Sequence, residues 1–175
     1  KLKNALRLYF LLGLMFPIQL GIVPIFIMMR NMNLLDTKLS VILILAAGLS
    51  LPIFLLTEFF AKLPKDLYES SVLDGATEWQ AFYKIMFPLA SPVIFSICII
   101  LSVQIWNQFF VPLIFLTSEA NKTIPLLIVK YTGRLVNYLD MAMVASVMAT
   151  IPILILFVIF SERILEGVSE GAIKE

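Results

Sequence analysis

One long polar stretch stands out in this chain. Between Ala61 and Pro88 lie Lys62, Lys65, Asp66, Glu69, Asp74, Glu78 and Lys84. Asp66 and Glu69 could pair with the basic groups of a partner, and the small Ser70 and Ser71 beside them would let a partner's backbone come close. This is the chemistry of recognition, and nothing else in the chain supplies the groups for catalysis. Histidine is absent and the one cysteine, Cys98, sits in an apolar run. Zinc centres, Cys–His nucleophiles and structural disulfides therefore lack their ligands. The seven glycines are scattered, with no G-x-x-x-x-G-K-[ST] phosphate loop, so ATP hydrolysis by this chain is not expected. A sparser polar set, Gln19, Gln104, Asn107 and Gln108, interrupts long apolar stretches, where such groups are costly and often functional. Trp106 and Asn107 could line a pathway for a polar solute, by ring stacking and amide hydrogen bonds. They could equally form a helix–helix hydrogen bond and an interfacial anchor.

The elements that must position these groups follow from composition. Of 175 residues, 61% are hydrophobic and 14% charged, against about 25% charged in soluble domains. In water such a chain would expose large apolar patches, so lipid is the expected solvent. The net charge of +1 comes without a strongly basic block, which points away from nucleic acid. A bilayer core needs roughly 20 helical residues to cross it, and four spans are predicted, at about 8–29, 39–60, 91–112 and 141–161. Pro17, Pro24, Pro52 and Pro152 interrupt them and predict kinks, tolerated where neighbouring helices satisfy the freed carbonyls. Four crossings put both ends on one side. That side carries Lys1, Lys3, Arg7, Lys62, Lys65, Lys84, Arg163 and Lys174, and the other Arg30, Lys38, Lys122, Lys130 and Arg134. The excess marks the first side, with the 61–88 loop, as cytoplasmic. No signal peptide is recognised, since the first apolar stretch is too long and lacks a small-residue cleavage site. Because the sequence starts at Lys1, the natural chain is expected to begin earlier.

The 61–88 loop itself reads as ordered. Pro64 suits a helix start and Lys65–Leu73 can continue it. Asp74-Gly75 is a turn pair, and Thr77 with Gln80 forms a capping box for a second short helix. There Trp79, Phe82, Tyr83 and Met86 recur at i, i+3, i+4 and i+7, one apolar face, and Pro88 is expected to end the helix. Such a helix–turn–helix could lie on the lipid surface or dock a partner. Its low basic charge argues against the lipid surface.

Glu69-Ser70-Ser71, Gly75, Ile85 and Pro88 are spaced so that they resemble the E-A-A-x3-G-x9-I-x-L-P motif of the permease subunits of bacterial and archaeal ABC importers. Ser70 and Ser71 replace the usual alanines and Phe87 a leucine. Asp74-Gly75-Ala76-Thr77 with Trp79 resembles the carbohydrate branch, of the maltose permease type. Trp106-Asn107-Gln108-Phe109, Thr123-Ile124-Pro125 and Gly167-Val168-Ser169-Glu170-Gly171-Ala172-Ile173-Lys174 follow in that branch's order, so the resemblance covers nearly the whole chain. It implies an all-α membrane protein with the ABC importer permease fold. The four spans would be the C-terminal part of a six-helix subunit, two N-terminal helices preceding them. It implies as partners ABC ATPase subunits, a second permease subunit and an extracytoplasmic sugar-binding protein, in a bacterial or archaeal plasma membrane. The coupling residues it implies are Glu69, Ser70, Ser71, Asp74, Gly75, Ala76, Trp79 and Pro88; for Trp106 and Asn107 both the translocation pathway and helix packing stay open. No catalytic residue, metal or cofactor is implied. In this topology the loop of Tyr131, Arg134 and Tyr138 faces the binding protein, and these residues could contact it or simply belong to an ordinary solvated loop. The same architecture serving amino acids or peptides is the nearest alternative, and a membrane assembly protein a more distant one. An intramembrane enzyme would need a nucleophile or metal set that the spans lack.

Overall fold

The computed structural model describes residues 2–132 and 138–172, with side chains from 4 to 132 and from 138 to 160. Arg134 and the side chains of the 167–174 run lie outside the described residues. Among the described residues the regular elements are helical: α1 (Leu2–Met15), α2 (Ile22–Asn31), α3 (Lys38–Ala46), α4 (Ser50–Lys62), α5 (Lys65–Leu73), α6 (Glu78–Ala81), α7 (Phe87–Trp106), α8 (Phe110–Phe115), α9 (Ile124–Thr132) and α10 (Leu139–Ala172). Among the described residues three segments are long and apolar enough to cross a membrane: Lys38–Lys62, Glu78–Trp106 and Leu139–Phe160. A fourth crossing arises if Asn4–Met15 and Ile18–Asn31, which meet at 90°, are one broken span.

That bend departs from the continuous span expected over 8–29, and its cause is Pro17. The ring removes a backbone donor and the residue holds an extended ψ of 140°, so the helix stops at Met15. Pro24, by contrast, lies in the first turn of α2, where the amides have no intrahelical partner to lose. Beyond the bend, α2 joins α3 and α8 in the main core. Met29, Ile44, Val111 and Phe115 are buried there, with Ile18, Ile22, Ile25 and Phe26 packed around them. The Phe26 and Phe115 rings are 5.9 Å apart.

The third apolar stretch also differs from its expected 91–112 bounds. Helix runs unbroken from Glu78 to Trp106, stops, and resumes as α8. Side-chain amides explain the stop. Asn107 Nδ2 donates to the Val103 carbonyl at 2.9 Å, and the Gln108 Oε1 accepts from the Phe110 N–H at 3.2 Å, which caps α8 in place of a continuing helix. Around this frame α1 packs on α4, α4 on α7, and α10 on α7 and α9. At the α1–α4 crossing a Cβ on Gly13 would stand 2.4 Å from Ser50 Oγ. Nearer the loop end Arg7 forms an ion pair with Glu58. The α10 surface keeps Val147, Leu154 and Ile155 exposed, as suits a helix whose solvent is lipid or a neighbouring membrane subunit.

Candidate functional site

The site begins where α4 ends, at Leu63-Pro64. Pro64 stands just before α5 as its N-cap, with φ −57° and ψ 130°. Alpha5 closes in a Schellman arrangement: the Ala76 N–H donates to the Ser71 carbonyl and the Gly75 N–H to the Val72 carbonyl, both at 3.0 Å. This closure needs a left-handed residue at position 75, and Gly75 has φ +82°. Two residues later Thr77 opens the next helix. Its Oγ1 accepts from the Gln80 N–H at 3.3 Å, and its own N–H donates to Gln80 Oε1 at 2.9 Å. Both halves of the capping box are thus present.

The second helix is not a short one ended by Pro88. Alpha6 passes through a π-helical turn, Phe82–Met86, straight into α7. The Phe87 N–H reaches back five residues to the Phe82 carbonyl. A proline N carries no hydrogen for the preceding turn, and the widened turn accommodates its ring. The extra residue also changes which rings meet. Phe87, five residues on, comes within 6.2 Å of Phe82 and 6.4 Å of Tyr83. Trp79 stacks on Tyr83 at 5.8 Å and 20°. Met86 turns aside, with Phe60, Tyr68, Glu78 and Phe82, to line a groove of about 270 Å³ between the end of α4 and the loop.

The coupling candidates divide by exposure. Glu69, Ser70, Asp74 and Gly75 are exposed, and Trp79 is 71% exposed. Ala76 is half-buried at the turn. Ser71 is the exception among the small residues expected to face a partner. It is buried, its Oγ donating to the Tyr68 carbonyl at 2.7 Å, and it is the buried residue of α5 as Ala81 is of α6. Its small size therefore serves the packing inside the hairpin. Pro88 lies in the helix leading to the membrane. Leu73, at 87% exposure the most exposed large apolar side chain of the loop, was missing from the sequence reading. Its place at the last position of α5, directly before the Asp74-Gly75 turn, was the available signal.

Trp106 and Asn107 stand far from the loop, about 27 Å along the helix from Pro88 at 1.5 Å per residue. The Trp106 indole N–H donates to the Ala149 carbonyl of α10 at 2.9 Å. Pro152 lies three residues further along the same helix, without an N–H for the Met148 carbonyl four residues before it. Trp106 is thus a cross-link between two membrane helices. Asn107 is exposed, with its amide N bonded locally to Val103.

A second polar cluster, at the end of the bundle away from the loop, escaped the sequence reading. Asp36 has φ +57° and ties the α2–α3 turn to the segment after α8. Its N–H donates to the Phe115 carbonyl at 2.8 Å. Its Oδ1 accepts from the Thr117 and Ser118 amides, both at 2.9 Å, and from the Ser118 hydroxyl at 3.1 Å. Asn121 Nδ2 donates to the Asp36 carbonyl at 2.6 Å. The Ser118 amide and hydroxyl, helped by Thr117 and Asn121, hold this carboxyl down at about 2. Next to it Glu119 pairs with Lys122 at 2.6 Å and Lys130 at 2.5 Å, and hydrogen bonds from those two ammonium groups lower it to about 2 as well. Lys130 also stands 5.7 Å over the Tyr131 ring, which lies 6.3 Å from that of Tyr138. Among the described residues no three His, Cys, Asp or Glu side chains are grouped to hold a metal.

Apolar spanning helices, with a self-capped hairpin of exposed rings at one end and a hydrogen-bonded clasp at the other, define an all-α multi-pass membrane protein. The chain belongs to the family of inner-membrane components of binding-protein-dependent transport systems, which it matches over residues 1–169. It is 35% identical over 167 residues to the diacetylchitobiose uptake system permease protein of Streptomyces coelicolor, covering 94% of this chain and 55% of that protein. It is 35% identical over 161 residues to the sulfoquinovosyl glycerol transport system permease protein of Agrobacterium fabrum, covering 91% and 56%. With the melibiose/raffinose/stachyose import permease protein of Bacillus subtilis it shares 31% over 176 residues, 99% and 64% of the two chains. The chain thus spans less than two thirds of the length of these relatives.

Proposed function

We propose that this chain is a permease subunit of an ATP-driven, binding-protein-dependent carbohydrate importer. It forms half of a translocation pathway with a second permease, and hydrolyses nothing itself. The observation that carries this reading is the match to relatives whose names specify sugar or glycoside uptake, over nearly the whole of this chain. The 61–88 loop, on the cytoplasmic side, receives the motion of a separate ATPase subunit. Exposed Glu69 makes polar contacts there, and the rings of Trp79 and Tyr83 with Leu73 supply the apolar part of the contact, the combination that anchors protein interfaces. With four crossings, the bent 4–31 segment counted as one, the Asp36 clasp lies on the outer side, toward the sugar-binding protein. Rocking of the helices between inward- and outward-facing states is alternating access by rigid-body motion.

The test is purification of the intact complex from the native membrane, followed by ATPase measurements in vesicles with the binding protein and a panel of sugars. An ATPase subunit should co-purify, and one sugar class, presented by the binding protein, should stimulate hydrolysis. A complex without an ATPase would end the proposal. Stimulation by amino acids or peptides instead would keep the architecture and overturn the carbohydrate assignment.

A further inference from the structure

The helix from Glu78 to Trp106 carries the loop's aromatic face at one end and a membrane span at the other. Any push on the loop must pass along it, and its weakest part is localised. The π turn at Phe82–Met86 comes first, with the Phe87 N–H bonded five residues back. Pro88 follows without an N–H. Pro92 then has none for the carbonyl of Pro88, four residues earlier. Within eleven residues the helix has one widened turn and two missing donors, each of which lowers its resistance to bending.

Both flanks of this stretch are anchored. Ala81, just before it in the hairpin, is 1% exposed, and Ile97, beyond it in the span, is 5% exposed. The contacts that bridge the π turn are mainly rings: Phe82 and Tyr83 against Phe87, and Trp79 against Tyr83. Ring faces can slide without breaking a directional bond, unlike the hydrogen bonds that stiffen a regular turn. A compliant segment between two fixed helices, bridged by sliding contacts, is a joint.

We infer that residues 82–92 are a built-in flexible joint, which lets the docking hairpin swing relative to the membrane span while the chain stays helical. This rests on the importer reading above. It accounts for a π turn and two prolines in a helix that otherwise has every reason to be rigid.

Amide exchange on the assembled complex reads the joint directly. Amides at 84–91 should exchange about tenfold faster than those at 97–104 in the same helix, as two lost helical bonds imply. Pro92→Ala returns a donor to the Pro88 carbonyl. It should slow exchange at 84–91 about threefold or more and lower the sugar imported per ATP hydrolysed, with the ATPase subunits still bound. Equal exchange rates in the two segments of the wild-type complex would overturn the inference, whatever the variant does. So would a Pro92→Ala complex with slowed exchange and the wild-type ratio of sugar to ATP. A wild-type complex unable to couple ATP to sugar uptake would instead condemn the importer reading, so the two failures are distinguishable.

Discussion

Gly75 offers the sharpest test of the hairpin. Its φ of +82° lies where L-residues pay about 1–2 kcal/mol for the contact between Cβ and carbonyl. A Cβ built there meets nothing within 4 Å, so side-chain volume is irrelevant and only backbone preference counts. Gly75→Ala should therefore destabilise the closed hairpin by about 1–2 kcal/mol, roughly a 5- to 30-fold change in its opening equilibrium. Gly75→Leu should cost about the same as alanine, and Gly75→Asn less, because asparagine tolerates the left-handed region. Gly75→Pro is of another order: the ring holds φ near −65° and deletes the N–H bonded to Val72, about 3 kcal/mol or more. That variant should insert in the membrane normally yet lose ATPase coupling or assembly. The assay is hydrogen exchange at the Ala76 amide, which is bonded to the Ser71 carbonyl, followed by titration with the ATPase subunit. Protection and affinity should fall together, in the order Gly, Asn, Ala and Leu together, then Pro. A ranking by side-chain size, or wild-type protection in Gly75→Ala, would refute the conformational argument.

Three further predictions follow from the other contacts. Asp36→Ala should unfasten the α2–α3 turn from Thr117, Ser118 and Asn121, seen as faster exchange of the Thr117 and Ser118 amides and a lower melting temperature of the complex. Because the native carboxyl sits at about 2, below its ordinary 3.8, its contribution is fully present above pH 3.8 and fades as pH falls toward 2. The difference between wild type and Asp36→Ala should therefore shrink over that window, and a difference unchanged at pH 2 would discount the carboxylate. Trp106→Phe keeps a ring but loses the bond to the Ala149 carbonyl, so stability should fall by about 0.5–1.5 kcal/mol with sugar selectivity unchanged. A shift in selectivity would return Trp106 to the translocation pathway. Trp79→Ala should weaken ATPase binding by about tenfold or more, as removal of an exposed aromatic anchor does, and unaltered affinity would remove Trp79 from the docking face.

Much of the architecture was legible because lipid imposes a one-dimensional rule. Uncharged runs near 20 residues must become helices, since no other open structure satisfies the backbone in hydrocarbon. The hairpin was equally local: Asp74-Gly75 and Thr77 with Gln80 act within a few residues, and Gly75 adopted the left-handed turn that its lack of a Cβ permits. Tertiary structure decided what depends on distant partners or on competition between neighbouring bonds. The spacing of Ser70 and Ser71 could not say which of them faces outward, because that depends on how α5 meets α6. Pro88 signalled a stop in sequence, but a turn with one extra residue absorbed it and fused the docking helix to its span. Asp36 looked like an ordinary loop carboxylate until the chain brought Ser118 and Asn121 to it across more than eighty residues. Trp106 could pack or line a pathway as far as its sequence goes, and only the fold brought its indole N–H to the Ala149 carbonyl of α10.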